Sequence, residues 1–204
     1  MFDAIFRADP AALLAALRQL AAVALAGVAV KLLDDYLDRE DAEDARALPA
    51  YALLALSASV VLAPGLASSL FLAAYAVGML KDLGRPFPAR LTGWQEVAVV
   101  VAAGLLLTGW REMLESLALM VAVQSGDDLL DWSLDRARGR TTLIGRIGLG
   151  ECVFLCVFTA ALAWCLAPGK TALVAGTAAG IWWGERALRA SGRGLPERVA
   201  GGGG

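Results

Sequence analysis

Seven apolar stretches divide the chain, separated by proline–glycine joints, a glycine break or runs of charge. They cover about Ala11–Leu33, Ala50–Ala63, Leu66–Leu80, Trp94–Thr108, Met113–Ser125, Cys152–Leu166 and Thr171–Trp183. A helix that crosses a bilayer needs about 20 mostly apolar residues, and short stretches borrow their flanks. Hydrophobic residues make up 58% of the 204 positions and charged ones only 19%. Soluble domains sit near 45–50% and about 25%. The pattern predicts an all-α fold: a polytopic transmembrane bundle of about seven spanning helices, one domain over residues 1–200. Gly201–Gly204 reads as a flexible tail or an expression remnant. The N-terminal segment carries Asp3 and Asp9 and no cleavage signature, so no signal peptide is expected.

Composition closes several routes to function. So apolar a chain is not disordered. It has no histidine, which removes His-based triads, His general bases and His metal ligands. A net charge of −2 lacks the basic excess of a nucleic-acid binder. Cys152, Cys156 and Cys165 share one apolar stretch and read as small buried hydrophobes.

The basic residues orient the bundle. With seven spans, fourteen of the 18 Lys and Arg fall on one side: Lys31, Arg39 and Arg46, then Lys81, Arg85 and Arg90, and the Arg residues after the fifth and seventh spans. Only Arg7, Arg18, Arg111 and Lys170 are left for the other side or its edge. Cytoplasmic loops collect Lys and Arg, so the N-terminus is expected outside and the C-terminus inside a cytoplasmic membrane. Trp94, Trp110 and Trp182-Trp183 sit at span ends, as an interfacial aromatic belt does.

The acidic residues obey a different rule. Eleven of 20 lie in two short segments, at the cytoplasmic ends of the first and fifth spans. Each contains the word Asp-Asp-x-x-Asp: Asp34-Asp35-Tyr36-Leu37-Asp38 and Asp127-Asp128-Leu129-Leu130-Asp131, with Asp135 one turn further. If the helices continue through the words, spacings of three and four gather these carboxylates on one face, where they repel unless cations neutralise them. Oxygen-only ligand sets select hard cations such as Mg²⁺, which is typically held by one or two carboxylates plus substrate phosphate oxygens. The candidate metal ligands are therefore Asp34, Asp35, Asp38, Asp127, Asp128, Asp131 and Asp135. A solvated helix end is the plain alternative for the first word. The second follows directly on Leu117–Val123, near membrane depth, where ionisable residues are functional by default. Lys31, Arg46, Lys81, Arg136 and Arg140 lie near the words and could bind a diphosphate, although each also belongs to the positive-inside pattern.

These words resemble the two signatures of the UbiA-type intramembrane prenyltransferases. The first is matched by Asp34-Asp35-Tyr36-Leu37-Asp38-Arg39-Glu40-Asp41-Ala42 with Arg46-Ala47-Leu48-Pro49. The second is matched over a longer run, from Asp127 through Asp135-Arg136-Ala137-Arg138-Gly139-Arg140-Thr141-Thr142-Leu143 to Arg146-Ile147-Gly148. Tyr75 and Lys81 weakly echo a Tyr…Lys pattern of the intervening loop. Asp stands for the family's leading Asn at Asp34 and Asp127, and Ala42 stands where a third acidic residue is usual. Three spans separate the two words, as in the family. The chain resembles a member without the first and last of nine helices, so that an oligomer or lipid would close the pocket wall.

The resemblance implies transfer of a prenyl group from a prenyl diphosphate to a lipophilic acceptor, with Mg²⁺-assisted release of pyrophosphate. It implies catalytic roles for Asp38, Asp131, Asp135 and Lys81, with Lys81 and Arg136 donating to the leaving diphosphate. Two other functions are compatible with the residues. A membrane terpene cyclase would keep the ionisation and drop the acceptor, and a divalent-cation transporter or channel would line a pore with the acidic residues.

Overall fold

The computed structural model describes residues 9–38, 46–80, 91–138 and 143–190, with side chains for all of these except 37–38, 133–138, 185 and 188–190. Among the described residues there are eight helices: α1 (Pro10–Asp38), α2 (Leu48–Leu62), α3 (Pro64–Met79), α4 (Gly93–Thr108), α5 (Trp110–Arg138), α6 (Leu143–Ile147), α7 (Leu149–Leu166) and α8 (Pro168–Ala190). The seven long ones coincide with the seven apolar stretches. The short α6 was not anticipated from the sequence. Helices α1 and α5 run on through the Asp-Asp-x-x-Asp words instead of ending at them.

Four of the joints between helices are a single residue long, three of them at one end of the bundle. A proline disfavours helical backbone in the residue before it. Ala63, before Pro64, adopts φ −150° and ψ 83°, and Ala167, before Pro168, adopts φ −150° and ψ 76°. Each proline then takes the first helical position, where no amide hydrogen is needed. The third joint, Gly109, turns with a φ of +87°, open to glycine at little cost. Ala63, Gly109 and Ala167 all lie at one end of the bundle, the tight-turn end. Connections at the other, carboxylate end are longer, apart from Gly148 between α6 and α7.

Side-chain contacts fix how the helices alternate. Near the tight-turn end, Arg18 of α1 donates a hydrogen bond to the carbonyl of Leu62, in the last turn of α2. Deeper along the same pair, buried Ser59 Oγ donates to the Ala22 carbonyl at 2.6 Å. Neighbours in sequence therefore run antiparallel. Helices α1 and α5 each pack against α3 and against α8, so these four close a ring of contacts, with α2 against α1, α4 against α3, and α7 against α5. Val23, Leu70, Ala118, Leu119 and Val174 of the ring helices, with Ala163 of α7, form the apolar core.

That core is made mostly of small residues. Ala22, Ala26, Ala29, Ala52, Ser59, Ala67, Ser69, Ala73, Ser116 and Ser125 are all buried. Small side chains let backbones approach closely, which is how helices associate where no water drives them together. The large apolar residues face outward: Leu106 is 88% exposed, Val61 79% and Phe154 70%. Pro10–Tyr36 and Leu149–Leu166 are long and apolar enough to cross a membrane, and α2, α3 and α4 are shorter apolar helices.

Gly27 of α1 faces α8 closely. A Cβ there would stand 2.9 Å from Ile181 Cδ1 and 3.8 Å from Thr177 Cγ2. Gly27→Ala displaces only the terminal methyl of Ile181, so it should melt close to wild type in detergent. Gly27→Leu overpacks the seam and should destabilise the fold by about 1–3 kcal/mol, read as a lowered midpoint of unfolding.

Candidate functional site at the carboxylate end

Helical spacing sorts each acidic word into different directions. Asp34 and Asp38 are four residues apart on α1, as are Asp127, Asp131 and Asp135 on α5, so each set shares a helix face. Asp35 and Asp128 sit one position on, about 100° around the helix. The first of them pairs within its own helix: Lys31 Nζ lies 3.5 Å from Asp35 Oδ1. The second turns inward. Asp128 is 5% exposed, and its Oδ2 accepts the Leu143 backbone N–H at 3.1 Å, capping the start of α6. Asp128 thus draws the chain that follows the second word back onto α5.

Charges from both words act on Asp127. Asp127 is exposed, yet its carboxyl has a pKa raised above the ordinary 3.8. The largest cause is loss of water around it, followed by the negative charge of Asp131; Asp128 and Asp34 add to the rise and Lys31 opposes it. Asp34 and Lys31 belong to α1, and Asp127 and Asp131 to α5. The two words therefore act on one another electrostatically, with the Lys31 ammonium acting on both. Below this site, the Asp127 face of α5 continues one and two turns down to Val123 and Leu119, and the Asp34 face of α1 continues three turns down to Val23. A charged head region thus passes directly into an apolar wall.

The other predicted residues divide as follows. Arg46 is exposed in the turn that precedes α2. Tyr75 donates its hydroxyl to Glu96 Oε2 at 2.7 Å, tying α3 to α4 at the carboxylate end. Lys81 and Arg140 lie outside the described residues. Asp38, Asp135 and Arg136 lie on described helix but outside the described side chains. Among the described residues no three acidic or cysteine side chains gather into a metal-holding group. Mg²⁺ does not require one, since one or two carboxylates and phosphate oxygens commonly suffice, and an excess of carboxylate charge suits a hard cation. Among the described residues an open groove lies elsewhere, on α6 and α7 at Ile147, Gly150, Glu151, Phe154 and Leu155.

Sequence reasoning missed two polar contacts. Glu96 was not singled out as the partner of Tyr75. At the tight-turn end, Lys170 meets Glu112, Glu115 and Ser116. The available signal was Glu112 and Glu115, three residues apart on one helix face beside a membrane-edge arginine.

No family model, curated protein or solved structure matches the chain.

The raised pKa of Asp127 has a definite consequence for stability. The folded protein holds this proton more tightly than the unfolded chain, so stability declines as pH rises from the ordinary aspartate value through the raised one. Asp127→Asn removes that penalty. In metal-free buffer at pH 7 it should melt above wild type, and the difference should vanish below the ordinary aspartate pKa. An equal gain at every pH would show that charge repulsion is not its source.

Proposed function

We propose that the chain is a multi-pass integral membrane prenyltransferase. It would move a prenyl group from a prenyl diphosphate to a lipophilic acceptor and release pyrophosphate. The observation that carries this proposal is the convergence of the two Asp-Asp-x-x-Asp words, seen in the action of Asp34 and Lys31 on Asp127. Outward-facing Leu, Val and Phe around a core of Ala and Ser support seven membrane-spanning helices. The excess of Lys and Arg at the carboxylate end supports a site facing the cytoplasm. The resemblance of the words and the residues after them to the UbiA-type signatures supports the reaction class.

A prenyl diphosphate is an amphiphile with an anionic head and an apolar tail. The site has the same polarity, with carboxylates and Lys31 above Val123, Leu119 and Val23. Asp34, Asp38, Asp131 and Asp135 would hold Mg²⁺, which when bound neutralises charge that builds on the leaving diphosphate. Lys31, Arg46, Lys81, Arg136 and Arg140 would donate hydrogen bonds to the diphosphate oxygens. The apolar wall would exclude water from the allylic carbon as its bond to oxygen breaks, so that the acceptor and not water captures it. Asp128, held by the Leu143 N–H, would position the second word and not touch substrate.

The test is incubation of purified protein with Mg²⁺ and a panel of radiolabelled prenyl diphosphates in total membrane lipid extract. Pyrophosphate release with a prenylated lipid supports transfer. Release with only a cyclic hydrocarbon indicates a cyclase, and no release favours a cation transporter. Asp131→Asn and Asp38→Asn should each lower turnover at least about 100-fold while the protein still folds and inserts. Full activity of either variant at saturating Mg²⁺ would remove that residue from the mechanism.

A further inference from the structure

A second polar centre lies at the tight-turn end, away from the carboxylate words. Lys170, in the first turn of α8, has a side chain only 9% exposed. Its ammonium lies 2.5 Å from Glu112 Oε1, 2.7 Å from Ser116 Oγ and 3.4 Å from the Glu112 carbonyl, all on α5, with Glu115 Oε2 at 4.0 Å. Glu112 Oε1 also accepts the Ser69 hydroxyl of α3 at 3.1 Å, and Arg111 Nε donates to Glu115 Oε1 at 3.1 Å. Two cations and two carboxylates balance, and three helices meet at one point.

Elsewhere the α5–α8 seam is thin. Helix α8 packs mainly against α1 and α7 and meets α5 only sparsely. The apolar cluster that includes Val174 is non-directional and tolerates rotation or a one-turn slide. An ammonium with three donors accepts far fewer geometries. Buried ion pairs add little net stability over apolar replacements, but in some proteins they select one register among several.

We propose that Lys170 is a register tether: it sets the depth and rotation of α8 against α5 and α3. Since α8 also packs against α1, the tether would govern how far apart the two word-bearing helices stand. The inference concerns the bundle itself and holds whatever reaction the carboxylates support.

The Gly27 contact supplies a ruler for the test. An ideal Cβ at Gly27 is 3.8 Å from Thr177 Cγ2, so a γ atom of residue 177, the position a cysteine sulfur would take, lies beside residue 27. In full-length protein with Cys152, Cys156 and Cys165 replaced by Ala, the pair Gly27→Cys/Thr177→Cys should cross-link on mild oxidation. The pairs of Gly27→Cys with Val174→Cys or Ile181→Cys, about one turn either way, should cross-link severalfold less. Adding Lys170→Met/Glu112→Met should lower the Thr177 yield severalfold and raise at least one neighbouring pair, read by mass spectrometry of peptides. An unchanged pattern would overturn the proposal. If the double variant is not recovered folded, Glu112→Gln is compared in the same way: reduced selectivity supports the tether and full selectivity contradicts it. Lys170→Met alone, which leaves Glu112 without its cation, should melt below the double variant.

Discussion

Close approach of helix backbones along rows of alanine, serine and glycine is the constraint on which this bundle depends. Its helices are apolar on most sides, so no contrast between greasy and polar faces selects which side turns inward. Size makes the selection instead. Ala22, Ala26 and Ala29 let α1 meet α2 closely enough for Ser59 to reach the Ala22 carbonyl. Gly27 lets α8 approach the same helix from another side. Many of the larger side chains, Leu106 and Phe154 among them, are then left outside, although Leu70 and Leu119 remain in the core.

The two ends of the bundle distribute charge differently. At the tight-turn end, charges are few and nearly matched: Arg18 on an orphan helix carbonyl, Lys170 and Arg111 on Glu112 and Glu115. At the carboxylate end, loss of water and then the like charge of neighbouring carboxylates make Asp127 hold its proton more tightly than an ordinary aspartate. The two arrangements, matched charges at one end and mutually repelling carboxylates at the other, are both carried by α5.

Within the second word, chemistry that looked uniform is divided by helical geometry. Four carboxylates at Asp127, Asp128, Asp131 and Asp135 read as equivalent ligands in sequence. The 100° step from Asp127 to Asp128 turns one toward α1 and the other onto the Leu143 amide. A substitution at Asp128 therefore disturbs both charge and the path of the following chain.

Much of this was legible in residue order. Apolar length marks helices because a segment without polar groups must satisfy its backbone internally, and Pro64, Gly109 and Pro168 mark the breaks for local steric reasons. The doubled acidic word stands out because neighbouring carboxylates on one helix face repel. Residue order could not show that Asp128 caps α6, that Tyr75 belongs to Glu96, or that Lys170 is buried among Glu112, Glu115 and Ser116. Each joins positions between 15 and 58 residues apart in the chain. The existence and order of the long apolar helices and the inventory of charge are local properties and were legible in the sequence. Which charges meet was decided only by tertiary packing, because apolar helices rotate freely until small residues let two particular faces touch.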